Sequence, residues 1–124
     1  MSDIDDELTE QQRSVIRACE AAESVIGIFT SAHPEEDRVA WAIVIARRWL
    51  TGAASAEECS RASEEAFAIA MVNAAVMDPG PRDAAWAASY AAWAAFGAAT
   101  DDYPTMIASM RGAEKCAADA KAAK

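Results

Sequence analysis

Val39-Ala40-Trp41-Ala42-Ile43-Val44-Ile45-Ala46 carries no polar side chain. At 3.6 residues per turn these positions go about twice round a helix axis, so a helix here is apolar on every side. Such a helix belongs at the centre of a bundle. Its flanks give its limits. Pro34 suits a first helical turn, where its missing N–H costs nothing. Glu35, Glu36 and Asp37 follow, at the positive end of the helix dipole. Gly52 stands just past Leu50 as a C-terminal stop. The pattern predicts a helix over 34–50, second in the chain and central in the fold.

Working outward, the upstream segment predicts a first helix over 10–29. Thr9 and Gln12 form a capping box, and Val15, Cys19, Ala22, Ile26 and Phe29 recur along one face. Gly27 sits within that stripe, where it either admits a close neighbour or weakens the last turns. Downstream, Ser55 and Glu58 make a second capping box and open a third helix that runs to about Met77. Asp78-Pro79-Gly80-Pro81 reads as a loop. A fourth helix runs over 82–99, with Trp86, Tyr90, Trp93 and Gly97 on one face. The fifth follows Asp101-Asp102, with Pro104 in its first turn and Met106, Ile107, Met110 and Ala113 facing inward. Residues 116–124 read as a frayed tail and 1–8 as a loose acidic lead-in. The expectation is a single all-α domain over 1–124, a bundle of about five helices joined by short links.

Composition bears on both packing and partners. Of 124 residues 53% are hydrophobic, but 33 are alanine and only two are leucine, so each large apolar residue matters. Alanine lets helix axes approach closely, and the four tryptophans are expected to fill the gaps. Trp86, Tyr90 and Trp93 have the chemistry to stack nucleobases, but with no basic groove beside them core packing is the preferred reading. The net charge is −9, made up of −8 on residues 1–37 and −1 on 38–124. That balance argues against direct binding to nucleic acid or to an anionic membrane, and it favours a basic partner. A solvated surface that merely keeps the chain in solution is the competing reading.

Catalytic and metal-binding patterns are sparse. A single histidine, His33, excludes a multi-histidine zinc site, and Cys19, Cys59 and Cys116 lack ligand spacing. Cys19 with His33 is the one conceivable thiolate pair, yet Cys19 lies on the core stripe and reads better as a small buried hydrophobe. No phosphate-binding glycine loop or nucleophile-elbow motif occurs. The expectation is no enzyme, no cofactor and no metal. Unpaired, widely spaced cysteines and an acidic start without a secretory pattern point to a cytoplasmic protein.

The most distinctive span runs from Cys19 through Val25, Phe29, Pro34, Glu36-Asp37-Arg38, Ala42-Ile43, Ala46-Arg47 and Trp49 to Gly52. It resembles a family of small Ala-rich helical proteins classed as immunity proteins of bacterial polymorphic toxin systems. The resemblance covers roughly residues 15–115. Its specific part is an acidic pair and arginine after a proline, followed by a helix of the pattern AI..AR.W..G. The Ala-dense stretch 84–99 matches only in composition. Family members carry histidines near the positions of Tyr90 and Phe96, which this chain lacks.

The resemblance implies a non-catalytic inhibitor of a basic toxin, such as a nuclease, whose active-site cleft holds phosphates. Glu20, Glu23, Glu35, Glu36 and Asp37 are the candidate partner-binding acids. Arg38, Arg47 and Trp49 are motif residues expected to clamp and fill the second helix. Two alternatives stand beside it. One is a phage-type anti-CRISPR or DNA-mimic inhibitor. The other is an oligomeric helical module, in which small-residue surfaces of two copies meet.

Overall fold

The computed structural model describes residues 8–72 and 78–123. The expected lead-in over residues 1–7 and the expected helix end at Met77 lie outside them. The described chain is all-α, with six helical segments: α1 Glu10–Glu23, α2 Ile26–Ala32, α3 Arg38–Leu50, α4 Ala56–Val72, α5 Pro79–Ala99 and α6 Tyr103–Ala122. The first two are one broken helix, which leaves the five-helix bundle that the sequence predicts. No helix among the described residues is long and apolar enough to cross a membrane.

Local chemistry explains most of the boundaries. The Thr9 hydroxyl accepts from the Gln12 N–H at 3.0 Å, and the Gln12 side chain accepts from the Thr9 N–H at 2.9 Å. Ser55 and Glu58 repeat this reciprocal pair at 3.1 and 2.9 Å. At the end of α3, Gly52 takes φ +79, and the N–H of Ala53 reaches the carbonyl of Arg48. That is a Schellman stop. Asp101, at φ 57, closes α5 in the same way.

The structure moves four boundaries. The first helix breaks at Ser24–Val25, not at Gly27. The Ser24 hydroxyl donates back to the carbonyl of Ala21 at 2.6 Å, a competitor to the helix ladder, and the break lets both Val25 and Phe29 turn inward. A side chain at Gly27 would meet nothing within 4 Å, so no close approach requires that glycine. The second helix begins at Arg38 rather than Pro34. The fourth begins at Pro79, because two prolines in a first turn forfeit no helical hydrogen bond. The C-terminal tail does not fray at Cys116. It stays helical to Ala122, with Ala117 and Ala120 buried and the Ala120 carbonyl close to Gly80 at the start of α5.

The central place belongs to α5, not to the 34–50 helix. Every other helix packs against α5, and α4, α3, α1 and α6 follow one another round it as an open ring. Twelve of its 21 residues are buried, nine of them alanines. Alanine decides this: faces with only a methyl group admit neighbouring axes on several sides at once. The apolar α3 lies in the ring instead. It buries Val39, Ala42, Ile43, Ile45 and Ala46, but leaves Trp41 and Val44 about two-fifths exposed. The Arg48 guanidinium covers the Trp41 ring at 4.8 Å.

Candidate functional site

The five candidate acids fall into two groups. Glu20 and Glu23 lie on α1 around Arg47, and Glu35, Glu36 and Asp37 lie in the link that enters α3 at Arg38. Arg38 and Arg47 are nine positions apart, about 13 Å along the α3 axis and on opposite sides of it. One continuous acidic face is therefore not formed. Two of the five acids are engaged within the chain. Arg47 makes a forked pair with Glu23, through Nε at 2.8 Å and Nη2 at 2.7 Å. Arg38 forks onto Glu36 at 2.9 and 2.8 Å, and the same carboxylate accepts the Arg38 N–H at 3.3 Å. That hydrogen bonding holds the Glu36 carboxyl below its usual pKa. Glu20, Glu35 and Asp37 are exposed and make no ion pair among the described residues.

The motif residues divide likewise. Arg47 ties α3 to α1, the clamp expected of it. Arg38 bonds only two residues back and clamps nothing to a neighbouring helix. Trp49 is half-buried against the core. Cys19 is fully buried, and burial pushes its thiol from the ordinary 9.0 up to about 12. It is thus protonated at neutral pH, the opposite of an activated nucleophile. Burial likewise raises Cys59 and Cys116, each to about 11. His33 stacks on Phe29, with ring centroids 5.0 Å apart. No cluster of three potential metal ligands occurs among the described residues.

A second surface was not legible as one in the sequence. The ring of helices round α5 is open between α4 and α6, which do not pack side by side. Trp86, Tyr90 and Trp93 lie in that opening, half-buried rather than in the core. The reason is again alanine. The close-packed faces of α5 leave no room for large rings, so the rings take the side that none of the described helices covers. Phe67 reaches over from α4 and meets Trp86 edge-on at 4.9 Å, and Trp86 and Tyr90 follow at 6.5 Å. Next to them opens a groove of about 390 Å³, lined by Ser63, Glu64, Phe67, Ser89, Tyr90 and Trp93. The 4, 3 spacing of the three α5 aromatics was the available signal; the side they face depends on where the neighbouring helices lie.

These features define an all-α bundle with a dispersed acidic surface and one aromatic groove. The chain matches no family model, no curated protein and no solved structure.

Proposed function

We propose that this chain is a non-catalytic binding and inhibitory protein, of the immunity-protein kind, which engages a basic protein partner. The observation that carries the reading is the charge distribution: net −9 overall, with −8 on residues 1–37. Within that region Glu20, Glu35 and Asp37 keep their charges exposed, while Glu36 and Glu23 pair with Arg38 and Arg47 beyond it. A net negative charge of this size, even spread over separate patches, steers an oppositely charged partner and raises its on-rate. A nuclease toxin, basic because it holds phosphates, has the complementary surface. A nucleic-acid-handling complex offers the same complement, and such a partner would make the chain a phage-type inhibitor.

The test is to isolate the partner from the native cell by affinity capture, purify it, and measure association against salt. The expected result is a stoichiometric complex with a basic protein. Its association should slow as salt rises, and slow again when Glu35 and Asp37 are reversed to lysine. Glu23 and Glu36 are left intact, so the intramolecular pairs survive. A partner without a basic surface, or association indifferent to both salt and charge reversal, would overturn the reading.

A further inference from the structure

We propose that the groove between α4 and α5 is a binding site for a small organic cation carrying an alkylated ammonium group, enclosed by Phe67, Tyr90 and Trp93 and paired with Glu64. The inference is independent of the partner proposed above.

Three observations carry it. The first is the wall. Three aromatic side chains from two helices line one groove of about 390 Å³, within the size range of small-ligand sites. Aromatic faces attract a cation through the ring quadrupole, and they attract alkylated ammonium in particular because its methyl groups are also apolar.

The second is charge. Among the described residues Glu64 supplies the only formal charge lining the groove. It makes no ion pair among the described residues, so its charge is not cancelled from within. Among the described residues no arginine or lysine lines the groove to hold an anion. On the floor, the hydroxyl protons of Ser63 and Ser89 are both spent on carbonyls of the facing helix. They have no proton left to offer a polar neutral ligand.

The third is rigidity. A methyl group placed on Gly112 of α6 would stand 3.1 Å from Cδ1, Cδ2 and Cε2 of Tyr90. One ring face of Tyr90 therefore rests on the α6 backbone, which fixes a ring that lines the groove. Phe67 is held in turn by its edge contact with Trp86. Ordering the walls costs little when they are already held in place.

The experiment titrates the intact protein with choline chloride. The controls are 3,3-dimethylbutan-1-ol, the uncharged isostere of choline, and sodium chloride. Binding is followed by the tryptophan indole N–H resonances, with Trp93→Phe identifying the relevant signal. Choline should shift the Trp93 resonance saturably, with a Kd on the order of 1 mM. It should be preferred over the uncharged isostere by about tenfold, as expected for a partly desolvated cation–π site. Glu64→Gln and Phe67→Ala should each weaken choline about fivefold or more. Phe67 is 47% exposed and Glu64 is exposed, so both variants keep the fold, which an unchanged melting temperature would verify. Equal affinity for the isostere would show a merely apolar groove and overturn the proposal. So would unchanged affinity in both variants, or no saturable shift at roughly 50 mM choline.

Discussion

The hydroxyl of Ser63 donates to the carbonyl of Ser89 at 3.0 Å, and the hydroxyl of Ser89 donates back to the carbonyl of Ser63 at 3.1 Å. The pair is buried where α4 meets α5, with the two hydroxyl oxygens 3.4 Å apart. Backbones come this close only when the side chains between them are small. Each serine thus works twice, as a spacer and as a link to the opposite helix.

Ser63→Ala should cost about 1 kcal/mol, the net value of one hydrogen bond, because the small volume is kept and the Ser89 hydroxyl retains its own acceptor. Ser63→Val should cost more, about 1–3 kcal/mol beyond that, because its extra methyl groups force the helices apart. Urea denaturation of the two variants decides the matter. Valine tolerated as well as alanine would mean that the crossing is loose.

Two glycines should respond to alanine with opposite signs. At Gly97 a methyl group would fall 2.8 Å from the Met106 nitrogen, 3.0 Å from its Cα and 3.2 Å from the Asp102 carbonyl oxygen. These are backbone atoms at the start of α6, and they cannot rotate away. Gly97→Ala should therefore destabilise by about 1–3 kcal/mol or more. Gly27, in helical conformation with open space around it, should gain stability as alanine, by about 0.5–1 kcal/mol. Thermal melts of both variants would verify the pair of signs.

Within α3, burial should separate two neighbours that the sequence treats alike. Ile43 is 5% exposed, and Ile43→Ala should cost about 2–5 kcal/mol through the cavity left behind. Trp41 is 42% exposed and is covered mainly by Arg48. Trp41→Ala should lose about 1 kcal/mol, largely the cation–π contact and partial burial. The reverse order in chemical denaturation would put Trp41 inside.

Alkaline stability should follow the cysteines. Burial raises the thiol of Cys19 from 9.0 to about 12, and those of Cys59 and Cys116 to about 11. A group whose folded pKa is raised binds its proton more tightly when folded. Its contribution is intact below pH 9 and is lost as pH rises towards 11–12. Stability should therefore fall across that window. Replacing Cys19 with alanine should flatten the slope, although the smaller side chain lowers stability at neutral pH. An unchanged slope would show that Cys19 titrates normally. At neutral pH, alkylation of Cys19 should require unfolding, and mass spectrometry after timed exposure to iodoacetamide would measure this.

The sequence by itself determined what is local. Both capping boxes, the Gly52 stop, the number of helices and the inward stripe of Met106, Met110 and Ala113 depend on residues within a few positions of one another. Such interactions form in the same way wherever the helix finally packs. Pro79 and Pro81 show the limit of this: they read as a loop and stand in a first turn, because proline is compatible with both.

The tertiary structure decided which helix is central and which side chains face out. An apolar side chain has no direction of its own; it is buried only if another helix lies over it. The large residues of α3 marked it as central, yet the methyl-lined α5 won that place because five neighbours can approach it. The same crowding turned Trp86, Tyr90 and Trp93 towards the side left open between the described α4 and α6, where Phe67 joins them from α4. Charge followed the same rule. Glu23 and Glu36 are indistinguishable in sequence from Glu20 and Glu35. Only the approach of Arg47 to α1 spent the Glu23 carboxylate, whereas Glu36 is spent on Arg38 by a local contact two residues along the chain.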